Sequence, residues 1–250
     1  MQSDHFTYVQ RIADDQLVLG QRLAEWCGHA PNVEIDLMLA NLGLDLLGQA
    51  RALYSHAAVL EGKGRDEDQI AFLRTEREYG NLLLLEQDNG DFAKTIVRQF
   101  FYAAFMLPFW QKMSTSSDEE LAAIAAKAVK EMDYHDQHSA EWLVRLGDGT
   151  EESHARAQNA LEELWPFCGE MFEMDEIASS LLEQGIAVDS APLKSTWQRR
   201  VADIVDQACL ALPQSAFAHS GGRAGVHTEH MGHLLIDLQY MQRTYPGMSW

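Results

Sequence analysis

Apolar residues recur along the chain at intervals of three and four between Gly, Pro and Ser punctuation, and no stretch alternates apolar and polar residues for a useful length. The pattern predicts an all-α protein. A first helix is expected from about Ser3 to Trp26, with Phe6, Val9, Leu19, Leu23 and Trp26 on its apolar side, stopping at CGHAP. A second begins near Asn32, runs to about Leu60 and stops at EGKGRDED. Shorter helical pieces follow around Gln69 to Gln87, ended by DNGD, and a third long helix spans roughly Phe92 to Met113. The stretch STSSDEE closes that helix and opens a fourth, with Ser117 as N-cap and Glu120 as its capping-box partner. The glycine of GDGT is expected to end it at Leu146.

Four helices of about 20 to 29 residues are the number and length of an antiparallel four-helix bundle. The rest reads as further helices near Glu151 to Met174, Asp175 to Gln184, Ser190 to Leu212 and Thr228 to Arg243. No internal repeat, low-complexity tract or long linker interrupts the pattern. The expectation is one domain over residues 1–250, with a core bundle over about 3–146 and extra helices over about 150–245.

Composition narrows the classes. With 250 residues, 46% hydrophobic and 23% charged, the chain is long enough to bury a sizeable core. Its net charge of -19 disfavours a nucleic-acid surface, which needs a basic footprint. Cys27, Cys168 and Cys209 are far apart and odd in number, so a disulfide framework and a zinc-sulfur site are not expected, and a reducing cytoplasm fits. MQSDHFTYVQ lacks the form of a secretory signal. The apolar run FFYAAFMLPFW is too short for a membrane span and is broken by Pro108. Its residues Phe100, Phe101, Phe105, Leu107, Phe109 and Trp110 cover too much of a helix for one narrow stripe, which predicts bundle core or subunit interface.

The densest candidate chemistry is KEMDYHDQHSAEW, residues 130 to 142. On a helix Glu131 and His135 share a face, and His138 follows three residues later. A di-iron carboxylate bundle takes one Glu from each of two helices and a Glu-x-x-His from each of the other two. Here Glu131-x-x is followed by Tyr134, with His135 one place late. The second helix offers Asp45, but Gly48 stands three residues on. The third long helix has no Asp or Glu; its charged residues are Lys94, Arg98 and Lys112. Asp14, Asp15 and Glu25 on the first helix cannot restore what two helices lack, so a dimetal centre would be under-ligated. No catalytic, cofactor or metal-ligating residue is therefore assigned, and the face is read as solvated or hydrogen-bonded.

Asn41, Asp45 and Gln49 form a polar ridge on the second helix, expected to pair with Arg51 or with the fourth helix. HTEHMGHLL places His227, His230 and His233 three apart, but it is not H-E-x-x-H, and structural hydrogen bonds at a helix start are the expectation. HSGGRAG follows no strand and lacks the order of a phosphate-binding loop. No cluster of Lys and Arg marks a helix N-terminus, although Arg199 with Arg200, or Lys94 with Arg98, offer local pairs.

The run LGQRLAEWCGHAPNVEIDLMLANLGLDLLGQAR resembles the C subunits of bacterial phenylacetyl-CoA epoxidases, multicomponent ring-oxygenating monooxygenases. The resemblance extends through DQIAFLRTEREYGNLLLLEQDNGDFAKTIVRQFF, KEMDYHDQHSAEWLVRLGDGT, GIAVD and GGRAGVHTEHMGHLL, nearly the whole chain. It implies a ferritin-like fold and a non-catalytic structural role, in a pair with a homologous A subunit, where the di-iron centre sits. It further implies a small B subunit, a flavin and iron-sulfur reductase fed by NADPH, and a place in aerobic phenylacetate breakdown. Coenzyme A thioesters are expected to bind mainly to the partner. Self-association is left open. The different reading is an independent ferritin-like dimetal oxidase or oxygenase using Asp45, Glu131 and His135; an iron-storage bundle would need the same missing ligands.

Overall fold

The computed structural model describes residues 3–248, and among them it contains ten α-helices, four short 3-10 turns and no strand. No described helix is long and apolar enough to cross a membrane. The described residues fall into two compact units, one formed by the chain up to Asp88 together with the chain from Gly221 on, the other by Asn89–Ser220.

The first unit is built on a hairpin of two long helices, α1 (Asp4–Ala24) and α2 (Val33–Glu61). Each starts on a side chain that accepts an otherwise orphaned N–H: the Ser3 hydroxyl takes Phe6 N at 3.2 Å, and Asn32 takes Ile35 N at 2.9 Å. Gly62, in the left-handed region at φ +66, ends α2. The pair crosses where two glycines meet. A Cβ on Gly20 would lie 3.3 Å from the Gly43 carbonyl oxygen, and one on Gly43 would lie 3.3 Å from that of Gly20, so the backbones approach closely there. Around that crossing Phe6, Val9, Leu19 and Leu23 of α1 and Leu39, Leu42, Leu46 and Leu53 of α2 are fully buried. Each such side chain contributes about 1.5–3 kcal/mol by leaving water.

The stretch expected as helical pieces over Gln69 to Gln87 resolves into α3 (Glu67–Phe72), a 3-10 turn at Glu76–Glu78 and α4 (Leu83–Glu86). The breaks follow from capping boxes at Asp66 with Gln69 and at Thr75 with Glu78, each of which restarts the chain. α10 (Glu229–Thr244) completes this unit.

The second unit contains α5 (Phe92–Met113), α6 (Glu119–Gly147), α7 (Glu151–Leu164), α8 (Glu176–Glu183) and α9 (Leu193–Gln207). Expected boundaries move in three of these helices, and α6 also runs one residue past the expected stop at Leu146, taking Gly147 into the helix. Asp118, not Ser117, caps α6, its carboxylate accepting Leu121 N at 3.0 Å; the Ser117 hydroxyl donates instead to the Gln184 carbonyl. The helix expected to run to Met174 stops at Leu164, because Pro166 has no N–H to continue it, and two 3-10 turns follow. The helix expected over Ser190 to Leu212 covers Leu193–Gln207; Cys209 then turns to φ +56.

FFYAAFMLPFW is the core of this unit. Phe100, Phe101 and Trp110 are fully buried, and Phe105 is 3% exposed. Phe101 packs against Trp165 and Trp197 with ring centroids 5.9 and 5.5 Å away, and Phe105 meets Phe172 edge-on at 5.5 Å. Trp197 also donates its indole N–H to the Phe101 carbonyl at 2.9 Å, so the ring is placed by packing and by a polar contact. The four long helices α1, α2, α5 and α6 are those expected of a ferritin-like bundle, and the chain has that fold class.

Candidate functional site

The polar stretch 130 to 142 lies on α6, and the helix sorts its residues by direction. His135 and Asp136 are buried, Glu131 and His138 half-buried, and Asp133, Tyr134 and Glu141 exposed. Glu131 pairs with Lys127 one turn back at 3.4 Å. Asp133 accepts from the Gln137 amide, and Glu141 faces Arg145, both pairings within the helix. The ring of His138 stacks on Tyr134 at 5.5 Å, and burial holds its pKa below the ordinary value.

Each buried pair on this face is closed by another helix of the same unit. His135 Nδ1 lies 3.1 Å from the side-chain amide nitrogen of Gln99 on α5. Asp136 accepts from Arg200 of α9, at 2.7 Å from Nη2 and at 3.1 and 3.4 Å from Nε. Burial pushes the Asp136 carboxyl above its ordinary pKa, with Arg200 pulling the other way.

This donor set does not fit a di-iron carboxylate centre. The long helix beside α6 carries no carboxylate, and its fully buried polar residues are Thr95, Arg98 and Gln99. Bridging irons require anionic oxygens, whereas Gln99 is neutral and Arg98 cationic. Neither Glu131 nor His135 belongs to any group of three potential ligands among the described residues. Asp45, the third residue of the dimetal reading, lies on α2 in the other unit.

The ridge on α2 is not a continuous interior face. Asn41 is exposed, Asp45 half-buried and Gln49 buried. A spacing of four drifts by about 40° per step on a helix of 3.6 residues per turn, which accounts for the gradation. Arg51 is exposed and pairs with Glu67 at 3.2 Å.

Two buried carboxylates on α1 carry more structure than their sequence context suggests. Asp14 accepts from the Tyr54 hydroxyl at 2.6 Å, from Gly80 N at 2.8 Å and from the fork of Arg74. Burial opposes the charge on Arg74, but Asp14 holds its pKa above the ordinary value. Asp15 accepts from Leu82 N at 2.8 Å and from Arg223 at 2.7 and 3.0 Å. Burial outweighs those partners and pushes its pKa up to about 6. The glycine-rich loop thus delivers its arginine to α1.

The three histidines after that loop diverge. His227 lies ahead of α10, with Nδ1 2.7 Å from the fully buried Glu86 and Nε2 3.0 Å from the Tyr79 carbonyl. Thr228 donates its N–H and its hydroxyl to the same carboxylate, at 2.6 and 2.7 Å. His230 stands 3.7 Å from Asp88, and His233 is exposed. The expected structural hydrogen bonds are made by His227. Sequence reasoning did not single out Glu86, Arg74 or the Asp14 pairing; the one visible signal was a pair of acids inside an apolar helix.

Comparison with known proteins places this geometry in a family. The family model described as phenylacetic acid catabolic protein matches residues 1–250. The C subunit of the 1,2-phenylacetyl-CoA epoxidase of Escherichia coli (strain K12) is 51% identical over 243 residues, covering 97% of this chain and 98% of that protein.

Proposed function

The chain belongs to the phenylacetic acid catabolic protein family, and from that premise we propose that it is a non-catalytic structural subunit of a phenylacetyl-CoA epoxidase in aerobic phenylacetate breakdown. Its partner in this reading is a homologous catalytic subunit that holds the di-iron centre. A small further subunit, with a flavin and iron-sulfur reductase, completes the assembly, which works in the cytoplasm. The relative's description as a subunit supports a role in an assembly.

One observation carries the non-catalytic part. His135, the imidazole of α6 one place after the Glu-x-x-His position, is held by an amide, Gln99, on a helix without carboxylates. In such a bundle the metal supplies oxygen activation; this chain's own residues offer a packed, internally bonded face. Its contribution is mechanical. The long helices, pinned by Asp136 with Arg200 in one unit and by Asp14 with Arg74 in the other, present rigid faces against which a partner's helices can be held in register.

Coexpression with the homologous catalytic subunit tests the proposal. The two chains should copurify at micromolar concentration, with iron following the partner and well under one equivalent on this chain alone. Separate migration, or close to two equivalents of iron on the isolated chain, overturns it.

A further inference from the structure

Five arginines line one cleft of about 330 Å³ in the first unit: Arg11, Arg65, Arg74, Arg77 and Arg223. They arrive from α1, from the loop before α3, from either side of Thr75 and from the glycine-rich loop, so no local run of sequence announces them. Like charges this close repel strongly unless counter-ions intervene. Asp14 serves Arg74 in that way, Asp15 serves Arg223 and Glu61 serves Arg65.

The arginines differ in what they have left to give. Arg74 spends all five N–H donors on Ile70 O, Asp14, Glu78 O and the Tyr54 hydroxyl, and so serves as wall. Arg65 uses Nε and Nη2 on Glu61, at 2.8 and 2.6 Å, and its Nη1 has no described bond. Arg77 is exposed on the 3-10 turn, and among the described residues nothing accepts from its guanidinium. Glu78, the one acid lining the cleft, is turned back onto the N–H and hydroxyl of Thr75, both at 2.7 Å. Gly225 fixes the mouth. At φ +74 its Cβ would fall 2.3 Å from the Arg77 carbonyl oxygen, so the loop and the turn touch backbone to backbone.

We propose that this cleft binds a phosphate-bearing anion. Guanidinium forks match phosphate oxygens two at a time, and those of Arg65 and Arg77 retain donors to do so. The volume lies at the lower end for small-molecule pockets, which suits one or two phosphate groups with a small attached moiety better than an extended peptide. The net charge of -19 does not forbid the anion. With a screening length of about 8 Å at physiological ionic strength, the adjacent arginines outweigh distant carboxylates. The proposal stands apart from the subunit reading and does not depend on it.

Calorimetric titration of the full chain with pyrophosphate at low ionic strength is the test. Inorganic phosphate and AMP, run beside it, separate the free ion from a phosphate ester, and binding of either supports the site. The expected result is a pyrophosphate Kd of about 1 mM or tighter. Arg77→Ala and Arg65→Ala should each weaken it about tenfold, with Arg77→Lys between and Arg145→Ala on α6 unchanged. Thermal melts confirm that the variants fold; Arg77 is exposed, so its replacement leaves the core intact. Absence of binding, affinity unchanged in both Arg77→Ala and Arg65→Ala, or preference for a hexaglutamate peptide over pyrophosphate overturns the proposal.

Discussion

The side-chain amide of Gln99 donates to Nδ1 of His135 across 3.1 Å, and neither residue has exposed surface. His135 is a core residue with a polar partner, whereas Glu131 on the same helix is half-buried and reaches the exposed Lys127 at 3.4 Å. The two should separate on mutation. His135→Ala is expected to cost about 2–4 kcal/mol in urea unfolding through lost packing and a stranded amide. Glu131→Ala should stay within about 1 kcal/mol. In the reconstituted assembly both should keep turnover within about threefold of wild type. Turnover losses beyond about a hundredfold in both, with assembly intact, would show a shared ligand role instead.

Arg200 covers a carboxylate that is otherwise buried, since Asp136 is 5% exposed. Arg200→Ala removes the partner and leaves the desolvation, so the Asp136 pKa, already raised, should rise further. A raised folded pKa means that the native state binds the proton more tightly, so the stability deficit of this variant should shrink as pH falls toward 4. Unfolding at pH 7.5 and pH 4.5 checks it. A deficit of about 1–3 kcal/mol at the higher pH is expected, and an equal deficit at both would mean that Arg200 acts by packing alone.

The four long helices and the aromatic core were legible because apolar spacing is a local signal, whereas several helix ends were not. Asp118 stands beside the expected cap Ser117, and both types accept an N–H equally well; only the Gln184 carbonyl, 67 residues on, decides between them. Pro166 marks a helix stop that the apolar spacing around it masks. The missing carboxylates of α5 were visible in the sequence, and the structure adds what replaces them, Gln99 on His135. The arginine cleft was not legible. Its residues come from positions 11, 65, 74, 77 and 223, and a chain with net charge -19 points away from anions until folding gathers them.

Two glycines within helices should respond in opposite directions to one added methyl. A Cβ on Gly147 would fall 2.2 Å from the Ala208 carbonyl oxygen, a backbone atom that cannot rotate away. Gly147→Ala is therefore expected to destabilise by about 3 kcal/mol or more as the end of α6 parts from the chain after α9. Gly48, inside α2, has nothing within 4 Å of its Cβ position. Gly48→Ala should stabilise by about 0.5–1 kcal/mol, because the unfolded chain loses freedom and the folded one gains no clash. Thermal unfolding of the pair reads both signs. A stabilised Gly147→Ala would contradict the close approach.

His227 supplies a stability term with a defined pH window. Both ring nitrogens face acceptors, Glu86 at Nδ1 and the Tyr79 carbonyl at Nε2, an arrangement that a doubly protonated ring satisfies. Burial opposes the charge, but the hydrogen bond and charge of Glu86, the Tyr79 carbonyl and the charge of Glu76 outweigh it and hold the pKa above 6.5. The native state then keeps a proton that the unfolded chain has released. Stability from this pair is complete below about pH 6.5 and is lost as pH rises through the folded value. Asp15, raised to about 6, gives a slope of the same sign at lower pH, so the range above 6.5 isolates the histidine. His227→Gln should lower the urea midpoint at pH 6.5, and its difference from wild type should narrow steadily toward pH 9. Since His227 and Thr228 tie the start of α10 to Glu86, amide exchange over residues 229 to 235 should quicken in wild type across the same range. A midpoint difference that stays constant from pH 6.5 to 9 would show that the ring is neutral in the fold.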